Sequence, residues 1–172
     1  MQERPQQGDY NPYYETYIQK VPQGDLPTLL NQQHEEAVSL LRALPAEQWA
    51  YRYAPGKWSV KQVVGHIADT ERIMAYRLLC IARGETAPLP GFDQDIYVPG
   101  ASFDDLTEEA LLHELHVVRQ STLSLLAGLG GEAWQRKGTV SGGPMTPLAL
   151  ACVIFGHELH HLAVLKERYF SK

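Results

Sequence analysis

The sequence predicts an all-α domain built as a four-helix bundle, and three observations carry that expectation. Four long segments place their apolar residues at helical rather than strand spacing. Capping residues mark where these segments begin, while Gly and Pro collect in the stretches between them. No run alternates apolar and polar residues strongly enough for a strand of consequence, although 138–143 suits a small hairpin.

The first segment runs from Asp25 to about Leu44, with Leu26, Leu29, Leu30, Ala37, Leu40, Leu41 and Leu44 on one stripe. Asp25 suits the N-cap, and Pro45 follows the end. The second runs from Ser59 to about Arg83. Ser59 and Gln62 make a capping box at its start, and Gly84 closes it. The third begins near Thr107, with Glu108 and Glu109 in the first turn where they complement the helix dipole, and ends around Ala127 before Gly128. The fourth takes Thr146 as N-cap and Pro147 as first helical residue, and continues nearly to Lys172.

The connections carry topological information. Residues 45–58 join the first two segments and hold a short helical turn at Ala46-Glu47-Gln48-Trp49. The Pro- and Gly-rich stretch 84–106 is long enough to carry the chain back along the bundle, which lets segments two and three run parallel. Unstructured loops of that length are uncommon in compact domains. The anchors in Pro88-Leu89-Pro90-Gly91-Phe92-Asp93 favour an ordered cover over the bundle. Residues 1–24 form an arm whose Tyr10, Tyr13, Tyr14 and Tyr17 are expected to pack on the body, so that 1–172 reads as one domain.

Composition excludes several classes. Of 172 residues 44% are hydrophobic and 20% charged, a globular balance with enough apolar material for a core. The net charge of −5, with no long run of Lys or Arg, makes nucleic acid a poor partner. The polar stretch from Met1 to Gln7 lacks the apolar region of a signal peptide. No apolar run approaches the roughly 18 residues of a membrane span. Cys80 and Cys152 make neither a disulfide framework nor a C-x-x-C pair. The expectation is a soluble cytoplasmic protein, with neither a membrane nor nucleic acid as partner.

The chemistry concentrates in His157-Glu158-Leu159-His160-His161. His157 and His161, four residues apart on a helix, stack on one face within reach of a single cation. The string also fits the H-E-x-x-H pattern of zinc peptidases, in which the Glu is the general base. Such peptidases take a third ligand from further downstream, and Leu162 to Lys172 contains no His, Asp or Cys. A third ligand must therefore come from upstream, and His66 is the candidate. At about 100° per residue, His157 and His161 fall in the middle of the apolar arc of the fourth segment, and His66 lies on the buried face of the second. A single buried His is ordinarily a hydrogen-bonded core residue. Three converging imidazoles need an unusual number of partners, and a metal ion supplies them at once.

Other residues have plainer readings. Glu158 shares the apolar arc as a base, a partner for an imidazole N–H or half of an ion pair, the latter two being favoured. His160 lies at the arc's edge. His113 and His116 flank the apolar stripe of segment three and read as solvated, while His34, within the first helix, could line a pocket but has no partner evident in the sequence. Arg77, on the inner face of segment two, suits a salt bridge more readily than an anion contact. Cys80 falls near the edge of its stripe and Cys152 on the outward side of segment four, so neither chain thiol stands beside the histidines.

The stretches Trp58-Ser59-Val60-Lys61-Gln62-Val63-Val64-Gly65-His66-Ile67-Ala68-Asp69 and Gly156-His157-Glu158-Leu159-His160-His161-Leu162, with Pro88–Asp93, 134–143 and the Tyr-rich arm, resemble the DinB/YfiT superfamily. That resemblance covers nearly the whole chain. It implies a bundle with up-down-down-up connectivity, and a divalent metal, nickel or zinc, on three histidines that match His66, His157 and His161. It also implies a homodimer. It points to enzymes acting on small molecules, either thiol-dependent transferases and isomerases using bacillithiol, mycothiol or glutathione, or metal-dependent hydrolases. The reading from another class is a bundle whose metal is structural or sensory and not catalytic.

Overall fold

The computed structural model describes residues 4–170. Its frame is four long helices: α1 (Leu26–Arg42), α2 (Val60–Ala82), α3 (Glu108–Ala127) and α4 (Pro147–Val164), the last continuing through a wider turn, Leu165–Tyr169. Each begins at its expected cap. Asp25 accepts from Thr28 N, Thr107 from Ala110 N and Thr146 from Ala149 N, all at 3.2 Å. Ser59 and Gln62 close the reciprocal box, each side chain on the other's backbone N–H at 3.1 Å. A cap of this kind is worth about 1 kcal/mol and is set by local sequence alone.

Pairings along the helices fix their directions. Lys61, in the first turn of α2, donates to Leu106 O just before α3 at 2.6 Å, and further along Glu71 pairs with Arg119. The two helices therefore run parallel. His34 meets His116, and Arg42 at the end of α1 meets Glu109 at the start of α3, which makes α1 antiparallel to α3. Tyr169, beyond α4, donates to Trp58 O just before α2 at 2.8 Å, so α4 runs against α2. The connectivity is up-down-down-up, with 84–106 spanning the bundle between the two parallel helices.

That connection is ordered, and it contains a helical turn, Gln94–Gly100, and a 3-10 turn, Phe103–Asp105. Strands β1 (Gly138–Val140) and β2 (Gly143–Met145) form the expected hairpin. Leu89 joins one side of it through Leu89 N to Thr139 O at 2.9 Å, and the arm joins the other through Thr146 N to Asp9 O at 2.9 Å. The hairpin thus stitches arm and cover to the same end of the bundle.

The core has two apolar clusters. One holds the arm, the end of α2 and the first half of α4; the other holds the end of α1, the starts of α2 and α3 and the end of α4. Between them lies a buried polar waist containing Gln33, His34, His66, Thr70, Glu71, Arg119, His157 and Glu158. His66 and His157 belong to this layer, and the half-buried His161 borders it.

Several expectations change. Tyr10 and Tyr14 of the arm are buried as expected, but Tyr13 is 71% exposed, its side chain largely in solvent. Cys152 is 2% exposed rather than outward-facing, because the arm covers the side of α4 that a helical wheel assigns to solvent; Tyr14, Ile18 and Val21 pack there. Burial raises its thiol to about 11. The segment Pro147–Tyr169 is also long and apolar enough to span a membrane by length and composition, against expectation, since His157, His160 and His161 interrupt the run only weakly. Yet 72% of its most apolar window is buried inside the bundle, so its apolar surface serves as core.

Candidate metal centre

The two helices that supply the imidazole cluster, α2 and α4, each carry a glycine immediately before the first clustered histidine, Gly65 and Gly156. At Gly65 a Cβ would collide with the Phe103 ring, and at Gly156 with the Tyr17 carbonyl. An interior helical Gly costs roughly 1 kcal/mol relative to Ala. Here it lets a crossing segment lie flat on the helix beside His66 and beside His157.

His66, His157 and His161 meet in the waist, and one ring nitrogen from each lies within 4.8 Å of the others. His66 Nε2 and His157 Nε2 are 3.0 Å apart. Around them the Trp58 ring lies tilted against His66 with centroids 4.9 Å apart, and Tyr17 meets His157 edge-on at 5.6 Å. His160, half-buried, touches Tyr17 and His161 but is not in the cluster.

Burial depresses all three imidazoles. His66 falls to about 4 and His161 to about 3, the latter also repelled by His66 and His160; His157 falls well below its ordinary value, with its histidine neighbours adding to burial. Near neutral pH each ring is neutral and offers one lone pair, the state in which imidazole ligates a metal. Three such donors from two helices fit a divalent ion of borderline softness, and three protein ligands are the number found in open catalytic sites.

A cavity of about 490 Å³ reaches His157 from outside. Tyr14 and Tyr17 of the arm, Phe92 and Asp93 of the cover, and Thr70 and Met74 of α2 are among its walls. Thr70 stands one turn beyond His66. Its Oγ1 is buried and has no hydrogen-bond partner among the described residues, an arrangement that suits a bound polar group in the cavity.

Glu158 lies on the dry side of the waist. Arg119 donates to Glu158 Oε2 at 2.7 Å and holds Glu71 through two bonds of 2.9 Å, while its Nη1 reaches Leu30 O at 2.6 Å. Of the roles open to Glu158, the ion pair is the one these contacts match. Burial raises its carboxyl and Arg119 opposes that shift.

Sequence reasoning missed several contacts. His34, expected to lack a partner, has a ring nitrogen 3.2 Å from His116; His116 is otherwise exposed as expected. Arg77 forms no salt bridge among the described residues; its contacts are Pro90 O, Met74 Sδ and the Phe92 ring. The roles of Thr70 and Tyr17 had no sequence signal, because both depend on segments far apart in the chain. The glycines at 65 and 156 were the one available hint of close approach.

Comparison with known proteins agrees with this architecture. The model of the DinB superfamily matches residues 29–165. A candidate metal-dependent hydrolase from Oceanobacillus iheyensis is 27% identical over 127 residues, 73% of each chain. Among solved structures, YfiT from Bacillus subtilis, described as a probable metal-dependent hydrolase with an unusual four-helix bundle topology, superimposes with a TM-score of 0.75 at 17% identity, covering 96% of this chain and 90% of its own. The mycothiol-dependent maleylpyruvate isomerase gives a TM-score of 0.66 at 14% identity, over 86% of this chain and 62% of its own.

Proposed function

The chain belongs to the DinB superfamily, and on that premise we propose that it is a metal-dependent enzyme acting on small molecules, a thiol S-transferase or a hydrolase. His66, His157 and His161 are the ligands of one divalent ion, nickel or zinc. The observation that carries the reading is the convergence of these three imidazoles, one of which, His157, lines a cavity of about 490 Å³, large enough for a small organic molecule. When bound, the ion supplies a positive charge that lowers the pKa of a thiol or water sharing its site.

The chain's own residues have separable tasks. Trp58 and Tyr17 pack against the imidazoles, limiting their rotation and keeping bulk water from that side. Thr70 Oγ1 can donate to, or accept from, a polar group held in the cavity. Glu158 steadies α4 through Arg119 and is engaged where a general base would have to be free. Cys152 is buried with its thiol raised to about 11, so a nucleophilic thiol would enter from solution. The hydrolase name of the Oceanobacillus relative supports the water reaction, and the mycothiol-dependent isomerase neighbour supports a thiol.

The test is an assay of protein loaded with nickel or zinc, using bacillithiol, glutathione and mycothiol with a model electrophile beside a panel of esters and amides. Metal-dependent turnover with a thiol identifies the transferase, and turnover with esters or amides alone identifies the hydrolase. A loaded protein that accelerates none of them, with no exchangeable ligand on the ion, transfers the site to a structural role. The homodimer belongs to the same reading; light scattering that returns the mass of one chain at every concentration removes it.

A further inference from the structure

Arg77 is 2% exposed and has no carboxylate partner among the described residues. Its Nη2 donates to Pro90 O at 2.6 Å, its Nη1 approaches Met74 Sδ at 3.5 Å, and its guanidinium carbon lies 5.5 Å from the centre of the Phe92 ring. These contacts orient the guanidinium without neutralising it. A buried cation left in that state is costly, whereas a paired one is tolerated. The waist supplies the contrast, since Arg119, equally buried, holds two carboxylates.

Arg77 lines a second cavity, of about 290 Å³. Ile73, Tyr76, Leu89, Phe92 and Tyr97 make most of its wall apolar or aromatic. The other cation there, Arg72, is already engaged by Asp69 and Glu114. Gly91 and Phe92 border both this cavity and the one that reaches His157.

We propose that this second cavity binds a small molecule with an apolar, ring-bearing body and a single carboxylate, whose anionic end pairs with Arg77. A guanidinium has five N–H donors in a planar fork, and the contacts above leave donors free for a carboxylate. Tyr76, Phe92 and Tyr97 offer ring surfaces for the body of the ligand. A bare inorganic anion would satisfy the charge and leave the apolar wall unused. The site requires no metal, so it stands or falls apart from the metal-dependent reading.

The experiment is isothermal titration calorimetry of the whole, metal-free chain with 4-phenylbutyrate, its neutral analogue 4-phenylbutanamide and inorganic phosphate. The expected result is saturable binding of phenylbutyrate at one site, with the amide and phosphate weaker by at least about tenfold. Arg77→Gln should lose at least about tenfold in phenylbutyrate affinity while unfolding as cooperatively as the wild type. Equal affinity for acid and amide, no saturation by the acid, or undiminished binding to a folded Arg77→Gln protein would overturn the proposal. Should Arg77→Gln fail to fold for want of its Pro90 contact, Ile73→Trp decides. It fills the cavity and leaves Arg77 in place; loss of phenylbutyrate binding supports the site, and wild-type affinity overturns it.

Discussion

Glu158 adjoins His157 in sequence, yet its carboxylate turns to Arg119, 2.7 Å away across the waist. One helical position thus serves the imidazole cluster while the next serves a buried ion triad of Arg119, Glu71 and Glu158. An H-E-x-x-H string otherwise suggests a free glutamate poised beside a metal. The presence of Arg119 on a neighbouring helix decides the matter, and nothing near residues 157–161 announces it.

Removing Arg119 should therefore cost more than removing either acid. Arg119→Met leaves two carboxylates buried together, and breaking such a network costs about 3–5 kcal/mol. Denaturant unfolding is the measurement. A loss below about 1 kcal/mol would mean that water reaches the triad and that it contributes like a surface pair.

The imidazole cluster makes a second prediction. Alanine at His66, His157 or His161 should reduce bound divalent metal to near zero, as measured by elemental analysis after dialysis, because two neutral imidazoles are a weak chelate. Full stoichiometry in the His66→Ala protein would exclude that residue from the site. The outcome at Glu158→Gln is expected to differ: metal content should hold while stability falls.

These two sites show what was legible in the chain. Caps at Asp25, Ser59, Thr107 and Thr146 were readable to the residue, since each is satisfied within three residues of itself. The histidine triad was readable because two members share a helix face and the third lies on another helix's apolar stripe. Cys152 was misplaced because a wheel assigns one buried face, whereas α4 is covered on its far side by the arm. Arg77 was misjudged because its surroundings come from Pro90 and Phe92, in a connection without periodicity.

His34 gives a pH prediction. Burial depresses its pKa to about 4, with Arg119 and His116 adding repulsion. In the unfolded chain the value returns to about 6.5. Between those limits the unfolded state binds a proton at His34 that the folded state refuses, so as pH drops from about 6.5 towards 4 His34 alone removes on the order of 3 kcal/mol of stability. His34→Leu should have a shallower stability profile than the wild type across this window. Parallel profiles would show that His34 titrates normally in the fold.

Gly156→Ala tests the arm. A methyl group there meets the Tyr17 carbonyl, which is backbone and cannot swing aside. The expected loss is about 1–3 kcal/mol, with faster amide exchange at residues 10–18. Unchanged exchange in the arm would mean that α4 itself shifts to make room.

The crossing of Tyr17 over Gly156 joins parts of the chain that a ribosome makes at very different times. The arm emerges early, and so does His66, but the surface on which both settle is not made until α4 has left the exit tunnel. Until then the aromatic arm and the apolar face of α2 wait without their partner, exposed to whatever else is nearby. Docking of the arm and convergence of the imidazoles both require the same helix, α4. A nascent chain halted before Pro147 lacks two of the three clustered histidines and the helix that would shelter the third.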